Sequence, residues 1–388
     1  MSFIGRAANN ILHKLPLLDA IIFESNPDYS CNTYPVFVEM RKRLPNYKMI
    51  WMTSKETLKQ TGVYDVFYYD DKSLINKMKS KYYRSRAKAL ISCNRFGKMG
   101  CQREGQVSLF LGHGSKTKKT RRENFSYCPG LVVDYVNIQS HFFDDVTSFE
   151  YNVDKDQLVY LGYPRCDWFY ANNDINTNLS KIGINGKYMI WLPTFRKHKS
   201  SNRNVHSNKY DNIGMPLIYT KEKLIECNDF LSDLNLHIIY KPHPAQDVSE
   251  LKKEKLSHIH IVNDNILNSI GVQLYQVIAG AKALITDYSS VYFDFLLLNR
   301  PIATTIDDID LWKQNEGFAF DLESIYKSST EQIADINELY SFIQNVVVDN
   351  NDDKIEARNK VCHTTNIFND GYSSKRVADF IISKINKI

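Results

Sequence analysis

No stretch of this sequence approaches the eighteen or so consecutive apolar residues that a bilayer-spanning helix requires, so no transmembrane segment is expected. A cleavable leader is not expected either, because Asp19 and Glu24 bracket only a short apolar stretch near the start. The chain is therefore expected to stay on the side of the membrane where it is made. There is no CxxC pair. The seven cysteines, an odd number scattered from Cys31 to Cys362, argue against both a disulfide framework and a zinc site, and they fit a reducing cytoplasm. No internal repeat occurs at solenoid spacing. Charge is not strongly one-sided either: a net charge of +5 does not call for nucleic acid, but it favours anionic substrates or an anionic membrane surface where the positive residues cluster.

What is there suits two domains. A chain of 388 residues is too long for one ordinary domain, and 43% apolar with 24% charged residues is the balance of a globular protein. Short apolar runs read as buried strands at Ala20–Phe23, Lys48–Met52, Val66–Tyr69, Ala89–Ser92, Val107–Leu111 and Leu158–Leu161, separated by polar, helix-capable segments. The rhythm returns at Tyr188–Trp191, Leu236–Tyr240, His258–Val262, Ala283–Thr286 and Pro301–Ala303. Alternation of this kind predicts an α/β class with two Rossmann-like, doubly wound domains. The Asn-rich stretch from Tyr170 to Asn178 is the expected boundary, giving domains of residues 1–170 and 171–388 with the active cleft between them. Ser200 to Asn212 reads as a polar loop beside the ligand, and the last helix, around Ser374 to Ile385, is expected to pack back on the first domain.

Three strands run straight into clusters of anion-binding residues: Trp191-Leu-Pro-Thr-Phe-Arg196, Tyr240-Lys-Pro-His-Pro244 and Leu284-Ile-Thr-Asp-Tyr-Ser-Ser290. In an open parallel sheet, ligands bind outside the carboxyl ends of the strands, so Thr194, Arg196, Lys241, His243, Ser289 and Ser290 can converge on one diphosphate. Asp287 is expected to cap a helix whose first turn carries Ser289 and Ser290, a ready anion site. In the first half, Leu111-Gly-His-Gly-Ser-Lys-Thr-Lys-Lys119 also follows a strand. Its glycines leave His113 uncovered, and imidazole is the side chain able to take a proton from an acceptor hydroxyl near neutral pH. Lys116, Lys118 and Lys119 would meet phosphate charge, although a solvated surface turn has the same composition.

Taken with Gly162-Tyr-Pro-Arg-Cys-Asp167 and Thr286-Asp-Tyr-Ser-Ser-x-x-Phe-Asp294, these motifs resemble those of the CDP-glycerol glycerophosphotransferase family, the teichoic-acid primases and polymerases, in the family's order. The resemblance implies a GT-B type fold. It implies transfer of glycerol phosphate from CDP-glycerol to a hydroxyl of a lipid-linked or polymeric acceptor, in teichoic-acid or capsule-type polymer synthesis, releasing CMP with no metal ion and no cofactor. By position, His113 is then the general base, and Thr194, Arg196, His243, Ser289 and Ser290 are ligands of the donor diphosphate. Two features depart from the family pattern. Gly112 stands where the family has Trp before the His-Gly pair and Lys116-Thr117 where it has Pro-Leu; the first loop, Glu24-Ser-Asn-Pro-Asp28, is poorer in glycine. This sequence does not carry the long N-terminal extension of the polymerases, and on that ground a primase-like or capsule-type enzyme is the expectation. A CDP-ribitol phosphotransferase or a nucleotide-sugar glycosyltransferase of the same fold stays open, as does a non-catalytic anion- or membrane-binding protein.

Residues 72–88 interleave Lys72, Lys77, Lys79, Lys81, Arg84, Arg86 and Lys88 with Leu74, Ile75, Met78, Tyr82 and Tyr83. Together with an N-terminus carrying Phe3, Ile4, Ile11, Leu12 and Leu15 beside Arg6 and Lys14, this predicts a basic amphipathic surface for anionic lipid, placing the protein on the inner face of the membrane. His258 and His260 share one face of a strand and are expected to be structural rather than metal-binding. Asp307-Asp-Ile-Asp310 reads as a loop, and Arg165 and Asp167 as an ion pair joining the domains.

Overall fold

The computed structural model describes residues 11–53, 65–68 (backbone only), 73–93, 103–119, 132–172, 174–194, 213–244 and 246–387. Arg196, Lys72, Phe3, Ile4, Arg6 and the expected loop at 200–212 lie outside the described residues. The chain forms two compact units, one of residues 1–115, 121–170 and 367–388, the other of residues 116–120 and 171–366.

The first unit is built on seven parallel strands: β1 (Leu18–Glu24), β2 (Lys48–Thr53), β3 (Asp65–Tyr68), β4 (Ala87–Ser92), β5 (Val107–Phe110), β6 (Tyr135–Ile138) and β7 (Leu158–Tyr160), in the order β3-β2-β1-β4-β5-β6-β7. Parallel sheets covered on both faces need strands that are apolar on both sides. Ala20, Ile21, Ile22 and Phe23 are accordingly all fully buried. Alternation along the strand then divides them. Ile21 and Phe23 join Met49, Trp51, Ala89 and Ile91 on a face covered by helix α1 (Thr33–Arg43) and by the C-terminal helix, here α5 (Ser373–Ile385), through Val36, Phe37, Met40, Val377, Ala378 and Ile381. Ala20, Ile22, Ile50 and Leu90 face the other way, where Tyr83 of helix α2 (Leu74–Arg86) packs.

The second unit has six parallel strands: β8 (Lys187–Leu192), β9 (Leu236–Tyr240), β10 (Ile259–Ile261), β11 (Leu284–Thr286), β12 (Ile302–Thr305) and β13 (Glu331–Ile333), ordered β10-β9-β8-β11-β12-β13. Helix α3 (Lys221–Asp233) sets Leu224, Cys227 and Leu231 against Met189, Trp191, Ile238 and Tyr240. Thr220 starts it by accepting a bond from Lys223 N at 3.3 Å. After Thr286 the chain enters a short helix, α4 (Val291–Phe295).

Two strands are absent from the apolar pattern. β6 carries Asn137, whose buried amide donates to Gly162 O at 2.8 Å and accepts from Leu161 N at 3.0 Å. β13 begins Glu-Gln and lies at the sheet edge, where one flank of the strand has no neighbour to bury it.

Each sheet reverses its winding at one place, between β1 and β4 in the first unit and between β8 and β11 in the second. A crevice opens outside the carboxyl ends of the strands at such a switch point.

Candidate active site

In the second unit the switch point brings together two of the three anion-binding turns. Thr194 follows β8, and Asp287 follows β11. Thr194 N donates to both carboxylate oxygens of Asp287, at 3.0 and 2.9 Å, and its hydroxyl donates to Oδ2 at 2.9 Å. Asp287 is fully buried, and its own carbonyl accepts from Tyr326 Oη at 2.8 Å. This corrects the expectation that Asp287 caps the following helix. The N-cap position of α4 is Ser290, without a side-chain cap bond, and the nearest hydroxyl substitute is Ser289 Oγ, 3.4 Å from Val291 N. Asp287 instead fixes the Pro193-Thr194 turn onto the Ser289-Ser290 turn. The two serines remain partly exposed at the head of α4.

Lys241 and His243 follow β9. Lys241 N is bonded to Trp191 O at 3.0 Å, which ties this turn to the end of β8, while its Nζ lies 3.1 Å from Asp264 Oδ1. His243 is exposed. Arg196, the remaining expected diphosphate ligand, lies outside the described residues.

The basic segment after His113 belongs to the second unit. Thr117 Oγ1 donates to Tyr288 O at 2.8 Å, Ala319 N to Thr117 O at 2.9 Å, and Lys119 N to Gly317 O at 3.1 Å. Lys118 Nζ sits 4.6 Å above the Trp312 ring, within the range where the ring quadrupole attracts a cation. Lys116 is partly exposed and Lys119 exposed. Because Tyr288 lies between Asp287 and Ser289, the lysine run and the serine turn share one anchor. In the acidic run at 307–310, expected as a loop, Asp308 accepts from Tyr288 Oη at 2.9 Å and Asp307 from Tyr219 Oη at 2.5 Å, whereas Asp310 lies in the first turn of a helix that starts at Ile309.

In the first unit, His113 is exposed just beyond β5, between Gly112 (φ +70°) and Gly114 (φ +132°). A Cβ on Gly112 would meet Tyr163 Oη at 3.4 Å in a conformation that L residues rarely adopt. The loop is fixed from below. Asn32, fully buried, donates to Leu111 O at 3.2 Å and Gly112 O at 3.0 Å and accepts from Arg165 N at 3.2 Å. Arg165 donates to His113 O at 3.1 Å. Arg165 and Asp167 are therefore not an ion pair. Asp167 accepts from Ser373 N at 2.9 Å and Ser374 N at 2.7 Å, capping α5, and burial raises its pKa against the pull of those bonds.

His113 Nδ1 lies 3.2 Å from Cys31 Sγ, and Cys31, Cys93 and the histidine nitrogen all fall within 4.8 Å of one another. The thiol of Cys31 is held well below its usual range, first by a hydrogen bond from Cys93 and then by the charges of His113 and Arg165. Burial, with that same donation, holds Cys93 well above it. No sequence signal announced this cluster, since its members are 62 and 20 residues apart. Arg165 was signalled by the Gly-Tyr-Pro-Arg motif but with another role.

His258 and His260 are joined by His237 from the neighbouring strand: His237 Nδ1 lies 3.0 Å from His260 Nε2, and the rings of His237 and His258 stack at 4.5 Å.

A profile of the family "CDP-Glycerol:Poly(glycerophosphate) glycerophosphotransferase" matches residues 8–383. The chain is 25% identical over 332 residues to the teichoic acid poly(glycerol phosphate) polymerase of Bacillus spizizenii, covering 78% of each chain. It is 28% identical over 243 residues to the teichoic acid ribitol-phosphate primase of the same organism, covering 60% of this chain and 55% of that one. The wall teichoic acid polymerase TagF has the same fold, with a TM-score of 0.74 at 18% identity over 99% of this chain and 94% of that chain, and its GT-B type architecture matches the two parallel sheets described above. With the profile spanning nearly the whole sequence and the motif residues standing at the carboxyl ends of their strands, the chain belongs to the CDP-glycerol:poly(glycerophosphate) glycerophosphotransferase family.

Proposed function

We propose that this enzyme, whose family transfers glycerol phosphate from CDP-glycerol, uses His113 as its general base on a hydroxyl of a membrane-associated or polymeric polyol-phosphate acceptor. The observation that carries this reading is the exposed imidazole at the end of β5, with its backbone held by Arg165 and its Nδ1 turned to Cys31. Nε2 is then the nitrogen that takes the proton. As the acceptor O–H bond breaks, its oxygen bonds to the phosphorus that bears glycerol, the bond from that phosphorus to the CMP oxygen breaks, and CMP leaves with the electron pair. Phosphoryl transfer of this kind depends on positioning and on stabilising charge at the equatorial and leaving oxygens. Lys241, His243, Ser289 and Ser290, with Arg196, supply cations and hydroxyls for that purpose, Thr194, whose N–H and hydroxyl both donate to Asp287, holds its turn in place, and Lys116, Lys118 and Lys119 serve further phosphate of the donor or acceptor. No metal ion or cofactor is needed for the step. Asp287 acts through Thr194, not on the diphosphate.

We infer that the reaction runs on the inner face of the cell membrane. Leu74, Ile75 and Met78 of α2 are exposed beside Lys77, Lys79 and Lys81, an apolar edge with positive charge that suits anionic lipid. Among the described residues no helix is long and apolar enough to cross a membrane.

CMP release from CDP-glycerol in the presence of acceptor tests the reading. His113→Ala is expected to lower turnover by about 10²- to 10⁴-fold while calorimetry shows CDP-glycerol still bound; undiminished turnover would refute the base. The 28% identity to a ribitol-phosphate primase makes CDP-ribitol the second donor to compare in the same assay.

A further inference from the structure

We propose that Cys31, Cys93 and Nδ1 of His113 form a binding site for a soft divalent cation of the zinc type, and that filling it switches the transferase off. The three ligands stand at the switch point of the first sheet: Cys31 in the loop after β1, Cys93 directly after β4 and His113 just after β5. Two sulfurs and an imidazole nitrogen are a donor set that selects zinc-like ions over magnesium or calcium. A tetrahedral ion with Zn–S of about 2.3 Å and Zn–N of about 2.0–2.1 Å places its ligand atoms roughly 3.6–3.8 Å apart. The spacings here are compatible with that value: Cys31 Sγ lies 3.2 Å from His113 Nδ1, and all three ligand atoms lie within 4.8 Å of one another.

The electrostatics of the surroundings fit. Arg165 Nη1 lies 3.6 Å from Cys31 Sγ and favours its thiolate. Two thiolates and one divalent ion make a neutral core, so the guanidinium is not opposed once the site is full. Ligation by two thiolates requires Cys93 to lose its thiol proton, and that proton goes to solvent. Cys93 is buried, whereas His113 is exposed and Cys31 partly so, which opens the fourth position of the ion to water on the histidine side. A metal on Nδ1 leaves the ring proton on Nε2. An imidazole so held donates a hydrogen bond and cannot accept the acceptor's proton. This inhibitory consequence rests on the general-base reading of His113; the site itself does not.

Cobalt(II) added to the full-length, metal-free protein tests the site without reference to activity. A stoichiometric near-ultraviolet thiolate-to-cobalt band with the visible absorption of a tetrahedral ion is expected, lost in Cys31→Ser and in Cys93→Ser and retained in Cys101→Ser, Cys128→Ser and Cys227→Ser. Absence of the band in the unaltered protein, or its survival in both Cys31→Ser and Cys93→Ser, overturns the site. Zinc is then expected to lower CMP release by at least about 10²-fold, reversibly with a chelator, and to lose this effect in Cys93→Ser. A cobalt band accompanied by undiminished turnover in zinc would uphold the site and overturn the inhibition, and with it the role of His113.

Discussion

Asn32 holds three backbone groups that no strand satisfies: Leu111 O, Gly112 O and Arg165 N. A buried polar group left without its partner costs about 1–3 kcal/mol. Asn32→Ala is therefore expected to destabilise the first unit by roughly 3 kcal/mol, read as a lower urea midpoint, and to lower kcat more than it weakens donor binding, because the loop it fixes carries His113. A urea midpoint equal to that of the unaltered protein would show that Asn32 is not the clasp. In the second unit, Asp287→Ala strips Thr194 of the acceptor for both its N–H and its hydroxyl. A loss of roughly 2–4 kcal/mol is expected, together with weaker binding of CDP-glycerol in calorimetry. The importance of these two turns was legible from Thr194 and Asp287 as strand-end polar residues, but the bond between them was not. Two residues 93 positions apart in sequence meet only because β8 and β11 are neighbours.

At the scale of elements, the apolar runs predicted most strands because both faces of a parallel sheet are covered, so burial is written as consecutive Ile, Val, Leu and Met. β6 and β13 escaped because their polar residues are satisfied by side-chain bonds or by the sheet edge rather than by burial. The turn at Gly162 (φ +74°) is a second kind of constraint: a Cβ there would press on Ser373 Oγ at the start of α5. Gly162→Ala is expected to lower the thermal midpoint, measured by circular dichroism, because φ +74° strains any L residue and the Ser373 hydroxyl must turn away from the new methyl. Helix α2 makes the opposite prediction. Leu74→Glu with Met78→Glu changes exposed positions, where substitutions usually fall within about ±0.5 kcal/mol, yet it should abolish flotation with anionic liposomes. Unchanged flotation would remove α2 from membrane docking.

For the whole molecule, acid should be the more damaging direction around the histidine cluster of the second unit. Burial first, and then the charges of His237 and His258, depress the pKa of His260 from 6.5 to about 4. Below pH 6.5 the unfolded chain takes up a proton that the folded chain refuses until about pH 4, so stability falls across that window and the effect is complete at its lower end. Urea midpoints measured between pH 7 and pH 4 should decline, and His260→Gln should flatten the decline; a profile identical in the two proteins would exclude His260 as its source.

The sequence by itself determined the α/β class, the parallel sheets and the family, because hydrophobic periodicity and strand-end motifs are local and survive without knowledge of neighbours. Only the tertiary structure decided which of those motifs touch. Strand order put Asp287 onto Thr194 and the lysine run onto Tyr288, and it gathered Cys31, Cys93 and His113 into one cluster although no spacing in the chain hints at it. Adjacency across a sheet is set by winding order, and winding order leaves no mark on the spacing of residues along the chain.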